Sequence, residues 1–371
     1  MKIKTVETKK DLMNFIKFQW KIYKNDPNWV PPLIFDMKNR LDKNKNPFWK
    51  HSEQKLFLVI DDNNEILGRI AGVIDKNFIE FHNEKTGFFA FFESVDDNEV
   101  AKLLIDTVKE WLKQNGMTKM IGPTAPSTND EMGLLIEGYD SSPYLMMGHN
   151  PKYYNDLLVN CGLTKAKDLF AYHLVSKDLP LERLNKINDA VRKRIPGLML
   201  RKLDTKHFNN EIEYARQIYN QAWEKNWGFV PWTDEEFQFQ CANLKDLVIP
   251  DLIHLAFING KPVGMIIAVP NYYEIFKKLN GKLGPIEIIK FLLYRNRIKT
   301  LRIMIMGVIK EYRNRGIEGL LYWEVITHGM KLGYNEGELS WILEDNTMMC
   351  RAAEMLGGIP YKKYRMYETI L

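Results

Sequence analysis

The chain repeats itself, and this constrains its fold more than any other feature. Ile22-Tyr23 recurs as Ile218-Tyr219, each late in an amphipathic helical pattern. Asn28-Trp29, followed by Val30-Pro31-Pro32, recurs loosely as Asn226-Trp227, followed by Val230-Pro231. Lys55 to Gly72 reads as a hairpin: an apolar run, the turn Asp61-Asp62-Asn63-Asn64, then Ile66-Leu67-Gly68. Leu252 to Ala268 reads the same way around Asn259-Gly260. Asn150 opens a helix that ends at Gly162, and Asn346 opens one that ends near Gly357-Gly358. Tyr23/Tyr219, Gly68/Gly264 and Asn150/Asn346 share one offset of 196 residues. Several matches in the same order argue for two copies of one unit.

The length of 371 residues suits two cores rather than one. A strand at Leu169–Leu174 gives way to Ser176-Lys177-Asp178-Leu179-Pro180, which places the domains at 1–175 and 176–371. Each half reads strand, helix, helix, hairpin, long strand, helix, strand, helix, strand. The fold class is α+β, two tandem domains, each a mixed, mainly antiparallel sheet flanked by helices. The central helix of the first half is Val100–Lys113, with Val100, Leu103, Leu104, Val108, Trp111 and Leu112 inward. Its equivalent is Gly316–Leu332, with Ile317, Leu320, Leu321, Val325 and Leu332 on one face.

Composition excludes several classes. The net charge of +5 is small for this length, so no nucleic-acid partner is expected. Three widely spaced cysteines, Cys161, Cys241 and Cys350, argue against a disulfide framework or zinc cluster and for a reducing compartment. No histidine has ligand spacing, so no metal is expected. The N-terminus shows no signal core, and no apolar run reaches the roughly 18 residues of a membrane span. The expected location is the cytoplasm.

Val308 to Gly319 reads V-I-K-E-Y-R-N-R-G-I-E-G and follows the apolar run Ile303–Met306. A strand that ends in basic residues and a glycine, then becomes a helix, makes an anion seat. The first N–H groups of the helix are unpaired and its dipole adds partial positive charge. Arg313 and Arg315 add full charges. A phosphate or pyrophosphate suits this seat. The first half lacks it: after Phe88–Phe92 comes Glu93-Ser94-Val95-Asp96-Asp97-Asn98-Glu99, acidic and without glycine. That half reads as a degenerate copy.

The order of elements around this seat resembles the GNAT (Gcn5-related N-acetyltransferase) fold. Val308, Arg313 and Gly316 fall at the family's signature positions, and Asn346 and Gly357 fit its next strand and helix. As a whole the chain is similar to the bacterial tandem-GNAT group that includes bacterial ceramide synthase-like proteins. Asp26–Leu33, Thr86–Glu93, Gly148–Tyr154 and Ser340–Asn346 prompt this. The resemblance implies acetyl-CoA or a longer acyl-CoA as donor, held by Gly307, Val308, Arg313, Asn314, Arg315, Gly316, Ile317, Glu318, Gly319 and Asn346. It implies an amine as acceptor, small or lipid, bound between the halves. Two departures stand out. Glu318 occupies a Gly or Ala position, and Ala353 stands where the family places its proton-donating tyrosine.

Direct acyl transfer needs a base for the amine and a backbone N–H for the thioester oxygen. The N–H donor is expected at Gly307-Val308. Glu338, Glu344 and Asp345 are candidate bases. Asn129 and Asp130, in the polar loop Gly122–Gly133, and Trp227 are candidate acceptor contacts. Asn346 reads equally as a helix cap. Leu283–Lys299 is an insertion, apolar and then basic. It suits either a buried helix with a solvated end or peripheral contact with an anionic membrane. Two other functions fit the pattern: a non-catalytic acyl-CoA sensor, and an aminoacyl-tRNA-dependent transferase. Oligomeric state is not readable.

Overall fold

The computed structural model describes all 371 residues. In chain order the elements are β1 (Lys2–Thr5), α1 (Lys9–Lys17), α2 (Gln19–Ile22), α3 (Ile34–Leu41), β2 (Ser52–Ile60), β3 (Ile66–Asp75), α4 (Lys76–His82), β4 (Thr86–Ser94), α5 (Asn98–Gln114), β5 (Lys119–Ala125), β6 (Glu131–Met132), β7 (Leu134–Glu137), α6 (Tyr154–Asn160) and β8 (Thr164–Val175). They continue as α7 (Leu181–Arg194), β9 (Leu198–Lys202), α8 (Phe208–Trp223), α9 (Asp234–Leu244), β10 (Ile253–Ile258), β11 (Lys261–Pro270), α10 (Tyr273–Leu279), α11 (Pro285–Tyr294), β12 (Thr300–Val308), α12 (Ile317–Lys331), β13 (Glu336–Leu343), α13 (Thr347–Met355) and β14 (Ile359–Ile370). The chain divides into two compact units. The first comprises Met1–Leu169, Tyr273–Arg295 and Lys362–Leu371; the second comprises Phe170–Tyr272 and Asn296–Tyr361.

In the first unit β1, β2, β3, β4 and β5 are neighbours in that order. β2–β3 and β3–β4 are antiparallel, and β4–β5 is parallel. The final strand pairs Tyr367–Ile370 with Gly122–Lys119. α5 lies on this sheet, with Val100, Leu104, Ile105, Val108 and Leu112 fully buried. Each such side chain contributes about 1.5–3 kcal/mol by leaving water.

The second unit repeats the plan. β9, β10, β11, β12 and β13 are neighbours in that order, antiparallel except for β12–β13. α12 covers the sheet with Ile317, Leu320, Leu321, Tyr322 and Val325 buried. Leu332 is 48 % exposed at the helix end, so it does not share the inward face that the sequence suggests.

The paired glycines have the same work. Gly68 faces Ser94 and Gly264 faces Val308. A Cβ on Gly68 would lie 2.7 Å from Leu104, and one on Gly264 would lie 3.4 Å from Leu321, so each glycine lets the central helix settle onto the sheet. The paired asparagines differ. Asn346 caps α13 by accepting from Met349 N, whereas Asn150 bonds both backbone groups of Leu135 and lies ahead of α6.

The insertion is not a buried helix. α11 has no buried residue; Ile286, Ile288, Ile289, Leu292 and Leu293 are all exposed, from 49 % to 66 %. α10 ties the segment down. Phe276 approaches Phe291 at 6.5 Å, and Ile34 N donates to Gly281 O.

Candidate active site

In the second unit β12 and β13 pair from Thr300 with Glu336 to Ile303 with Leu339. Past those rungs Met304 and Met306 line one side of a slot and Ser340 to Leu343 line the other. Trp223, Asn226, Tyr322, Asn346 and Met349 complete a cavity of about 80 Å³. Gly307 makes room beside it: a Cβ there would lie 2.3 Å from the Trp223 ring. The walls mix apolar and polar side chains, and Tyr322 Oη and Trp341 Nε1 are buried without a partner. An unmet buried donor costs about 1–3 kcal/mol, so this slot suits a ligand that presents carbonyl oxygens. Burial, aided by the Glu318 carboxylate, raises the Tyr322 phenol above its ordinary value, so it keeps its proton.

The last paired rungs carry a buried crossbar. Arg302 faces Glu338. Glu338 has no exposed surface and accepts from Ser340 Oγ at 2.5 Å and from the Tyr361 hydroxyl. Arg302 Nε donates to Ser340 Oγ at 3.0 Å, and its guanidinium lies 5.3 Å from the Trp341 ring. Both Glu338 oxygens are engaged by donors. This carboxylate braces Ser340 and Trp341.

The turn before α12 is tight. Asn314 and Gly316 take left-handed φ values of 60° and 90°, which favour asparagine and glycine. Arg313 is turned inward to the backbone: Nε donates to Val308 O at 2.9 Å and Nη2 to Ala222 O. Arg315 is exposed and lies over the Tyr312 ring at 5.2 Å. Gly316 offers α12 no side-chain cap. Val191 and Ile187 of α7 lie against this start, 2.5 Å and 3.2 Å from the Cβ positions of Gly316 and Gly319. The motif's glycines therefore serve helix packing as well as the turn. Ile317 is fully buried, and Glu318 and Gly319 are half-buried.

Of the other sequence-selected residues, Asn346 lines the slot, while Glu344 and Asp345 leave the sheet in the turn that follows β13. Trp227 is half-buried in the turn after α8, and its neighbours Trp223 and Asn226 reach the slot. Asn129 and Asp130 belong to the first unit. Asp130 is buried and accepts from Ser127 Oγ at 2.7 Å. Ala353 is fully buried. Tyr322 escaped the sequence reading because it sits within an apolar helix and reads as core. The fold also gathers His254, Glu324 and His328, with ligand atoms within 4.8 Å of one another. His254 lies far along the chain from the Glu324/His328 pair, one turn apart on α12, which hides the group. Within the cluster Arg192 pairs with Glu324, and His328 Nδ1 meets its own helix at Glu324 O.

The acidic stretch of the first half plays two roles. Glu93 ends β4 inside the unit, and Asp97 caps α5 by accepting from Glu99 N and Val100 N.

The model of the acetyltransferase (GNAT) family matches residues 212–357, which span the slot and the turn. The chain is 36 % identical over 373 residues to protein YghO of Escherichia coli, covering 99 % of this chain and 94 % of that protein. It is 35 % identical over 376 residues to the bacterial ceramide synthase of Caulobacter vibrioides, covering 99 % and 96 %. Among solved structures it resembles a tandem GNAT protein from the clavulanic acid biosynthesis pathway, with a TM-score of 0.59, 11 % identity, and 100 % and 98 % of the two chains covered. A Gcn5-related N-acetyltransferase from Anabaena variabilis gives a TM-score of 0.54 at 10 % identity, covering 100 % and 73 %. These two structural likenesses concern the fold alone.

Proposed function

We propose, from the premise that this chain belongs to the tandem GNAT acyltransferases of the bacterial ceramide synthase group, that it moves an acyl group from acyl-CoA to a lipid amine. One observation carries the reading: β12 parts from β13 past Ile303 and Leu339, leaving a narrow slot with two spare buried donors. The pantetheine arm lies in that slot. Its amide oxygen takes the N–H of Trp341, and its thioester sulfur faces the O–H of Tyr322. The diphosphate rests at the uncapped start of α12, near Arg315, and the turn Gly307–Gly319 with Asn346 frames it. Glu318 opposes that charge and weakens the grip.

In the reaction the amine nitrogen attacks the thioester carbon, the carbon–sulfur bond breaks, and the thiolate leaves. Tyr322 supplies the proton to that sulfur, in the role for which Ala353 is unfit. Glu344 and Asp345, in the turn beside Asn346, remain the candidates to take the amine proton. Glu338, engaged on both oxygens, positions Trp341.

The lipid nature of the acceptor rests on α11. A helix with five exposed large aliphatics, next to Lys290, Arg295 and Arg297, suits an anionic bilayer surface. No helix is long and apolar enough to cross a membrane. The enzyme then works at the cytoplasmic face, and the acyl donor is long-chain.

Calorimetric titration with CoA and palmitoyl-CoA, followed by thiol release over an amine panel that includes a long-chain amino alcohol, tests this. We expect palmitoyl-CoA to bind more tightly than CoA and thiol release to need the amine. Tight acyl-CoA binding without thiol release on any amine would leave a ligand sensor. Absence of acyl-CoA binding would end the reading.

A further inference from the structure

The first unit is not an empty copy. Where Phe91, Phe92 and Glu93 of β4 diverge from Pro123 to Ala125 of β5, it encloses a cavity of about 190 Å³. At its floor lies a charged group withdrawn from water. Glu93 is 5 % exposed and Arg69 has no exposed surface. Glu93 accepts from Gln19 Nε2 at 2.7 Å, Tyr154 Oη at 2.8 Å, Tyr23 Oη at 2.9 Å and Arg69 Nη2 at 3.4 Å. Four donors on one carboxylate fix the orientation of every side chain around it.

That fixing leaves a specific remainder. Gln19 gives its amide N–H to Glu93, so its Oε1 stays bare, buried and without a partner. His149, with a side chain 3 % exposed, lines the same cavity. Its Nε2 bonds Asp26 Oδ2 at 2.8 Å, which assigns the proton to that nitrogen and leaves Nδ1 as a buried lone pair without a partner. Burial lowers the pKa of this imidazole, so it stays neutral near pH 7 even beside Asp26. Both His149 and Gln19 line the cavity. Two buried acceptors with nothing to accept are unfavourable. A ligand that donates hydrogen bonds relieves this, and the Arg69 Nε–H, also buried without a partner, adds one donor to the same lining.

The remaining walls describe the rest of that ligand. Trp29, stacked on Tyr23 at 4.9 Å, and Val30, Leu33, Met37, Leu134 and Phe276 are apolar. Three carboxylates, Asp36, Glu93 and Glu131, outnumber the guanidiniums of Arg40 and Arg69 on the lining. Phe276 belongs to α10, and its ring meets Phe291 of the exposed helix α11. The apolar wall is thus continuous with the surface that faces outward.

We infer that the first unit carries a binding pocket for the head of an amphipathic amine, with Gln19 Oε1 and His149 Nδ1 as the acceptors of its N–H groups and Trp29 and Phe276 against its chain. The pocket rests on the reading above only for the claim that this amine is the acyl acceptor. The volume admits a head and the first few carbons, since a benzene-sized molecule fills about 150 Å³. The remainder of the chain follows Phe276 toward α11.

Titration of the full chain with octylamine, octanol and octanoate tests the inference. We expect one octylamine per chain, bound at least tenfold more tightly than octanol or octanoate. His149→Phe, which keeps a ring but removes the acceptor, and Gln19→Leu should each weaken octylamine at least tenfold and leave palmitoyl-CoA binding unchanged. Octanoate binding as well as octylamine, no octylamine binding, or equal octylamine affinity in both variants would overturn it. The three-probe comparison on the unaltered chain decides even where a variant fails to fold. Lost palmitoyl-CoA binding alongside a selective octylamine site would sink the acyl-donor reading and leave this pocket standing.

Discussion

The two units use the same sheet positions for opposite ends. On β3 and β4 the first unit places Arg69 opposite Glu93; on β11 and β12 the second places Met265 opposite Gly307. The first therefore has a buried ion pair at this place, and the second has a glycine against which Trp223 lies. The helix starts diverge too. α5 is sealed by Asp97, whose carboxylate takes the N–H groups an anion would need, while α12 begins at a glycine with no cap. Duplication gave one scaffold. Side chains at a few matched positions decide whether the strand carries a buried ion pair and whether the central helix starts with a side-chain cap.

Four experiments break or sharpen this contrast. The largest effect should come from Glu93→Leu, which leaves Arg69 buried without its counter-charge. A loss of about 3–5 kcal/mol is expected in urea unfolding. The double variant Arg69→Met/Glu93→Leu, which makes the first unit resemble the second, should recover most of that loss; no recovery would mean that the pair is not the source. In the second unit Tyr322→Phe should lower kcat about 100-fold at nearly constant KM, as loss of a general acid does. An unchanged kcat would return the proton donor to another group.

Acid should act on the second unit through His254. Burial lowers its pKa to about 4, whereas the unfolded value is near 6.5. The native state therefore resists a proton that the unfolded state accepts. This contribution is fully present above about pH 6.5 and falls away as pH drops toward 4, by about 2 kcal/mol at pH 5. His254→Leu should flatten that part of the stability profile, and an unchanged slope would assign it to other groups. The smallest effect belongs to Glu318→Gln. Removing a carboxylate from the first turn of α12 should tighten acyl-CoA about two- to fivefold, in line with dipole-scale energies. A weaker affinity would mean that Glu318 supports the turn rather than opposing the ligand.

Much of the architecture was legible because it is written locally. Strand alternation, the Asn259-Gly260 turn and the uncapped start of α12 each depend on neighbours a few residues away. The repeat multiplied that information, since each half checks the other. Asn346 shows the limit of that check: it caps α13 directly, whereas Asn150 lies ahead of α6 and bonds Leu135. Trp227 lies in the turn just past α8, while its neighbours Trp223 and Asn226 line the slot.

The sequence by itself determined the α+β class, the repeat of one element order, and the glycine-bearing strand-to-helix turn before α12. Periodicity and turn chemistry act over short stretches, so they survive in the linear text. Tertiary structure decided which polar atoms are spent and which are spare. Tyr23 and Glu93 lie 70 residues apart, and Gln19 and Glu93 lie 74 apart. Only packing brings them together, takes their water away, and leaves Gln19 and His149 with unused lone pairs. The same holds for α11, whose apolar residues the pattern could have buried and the fold leaves facing outward.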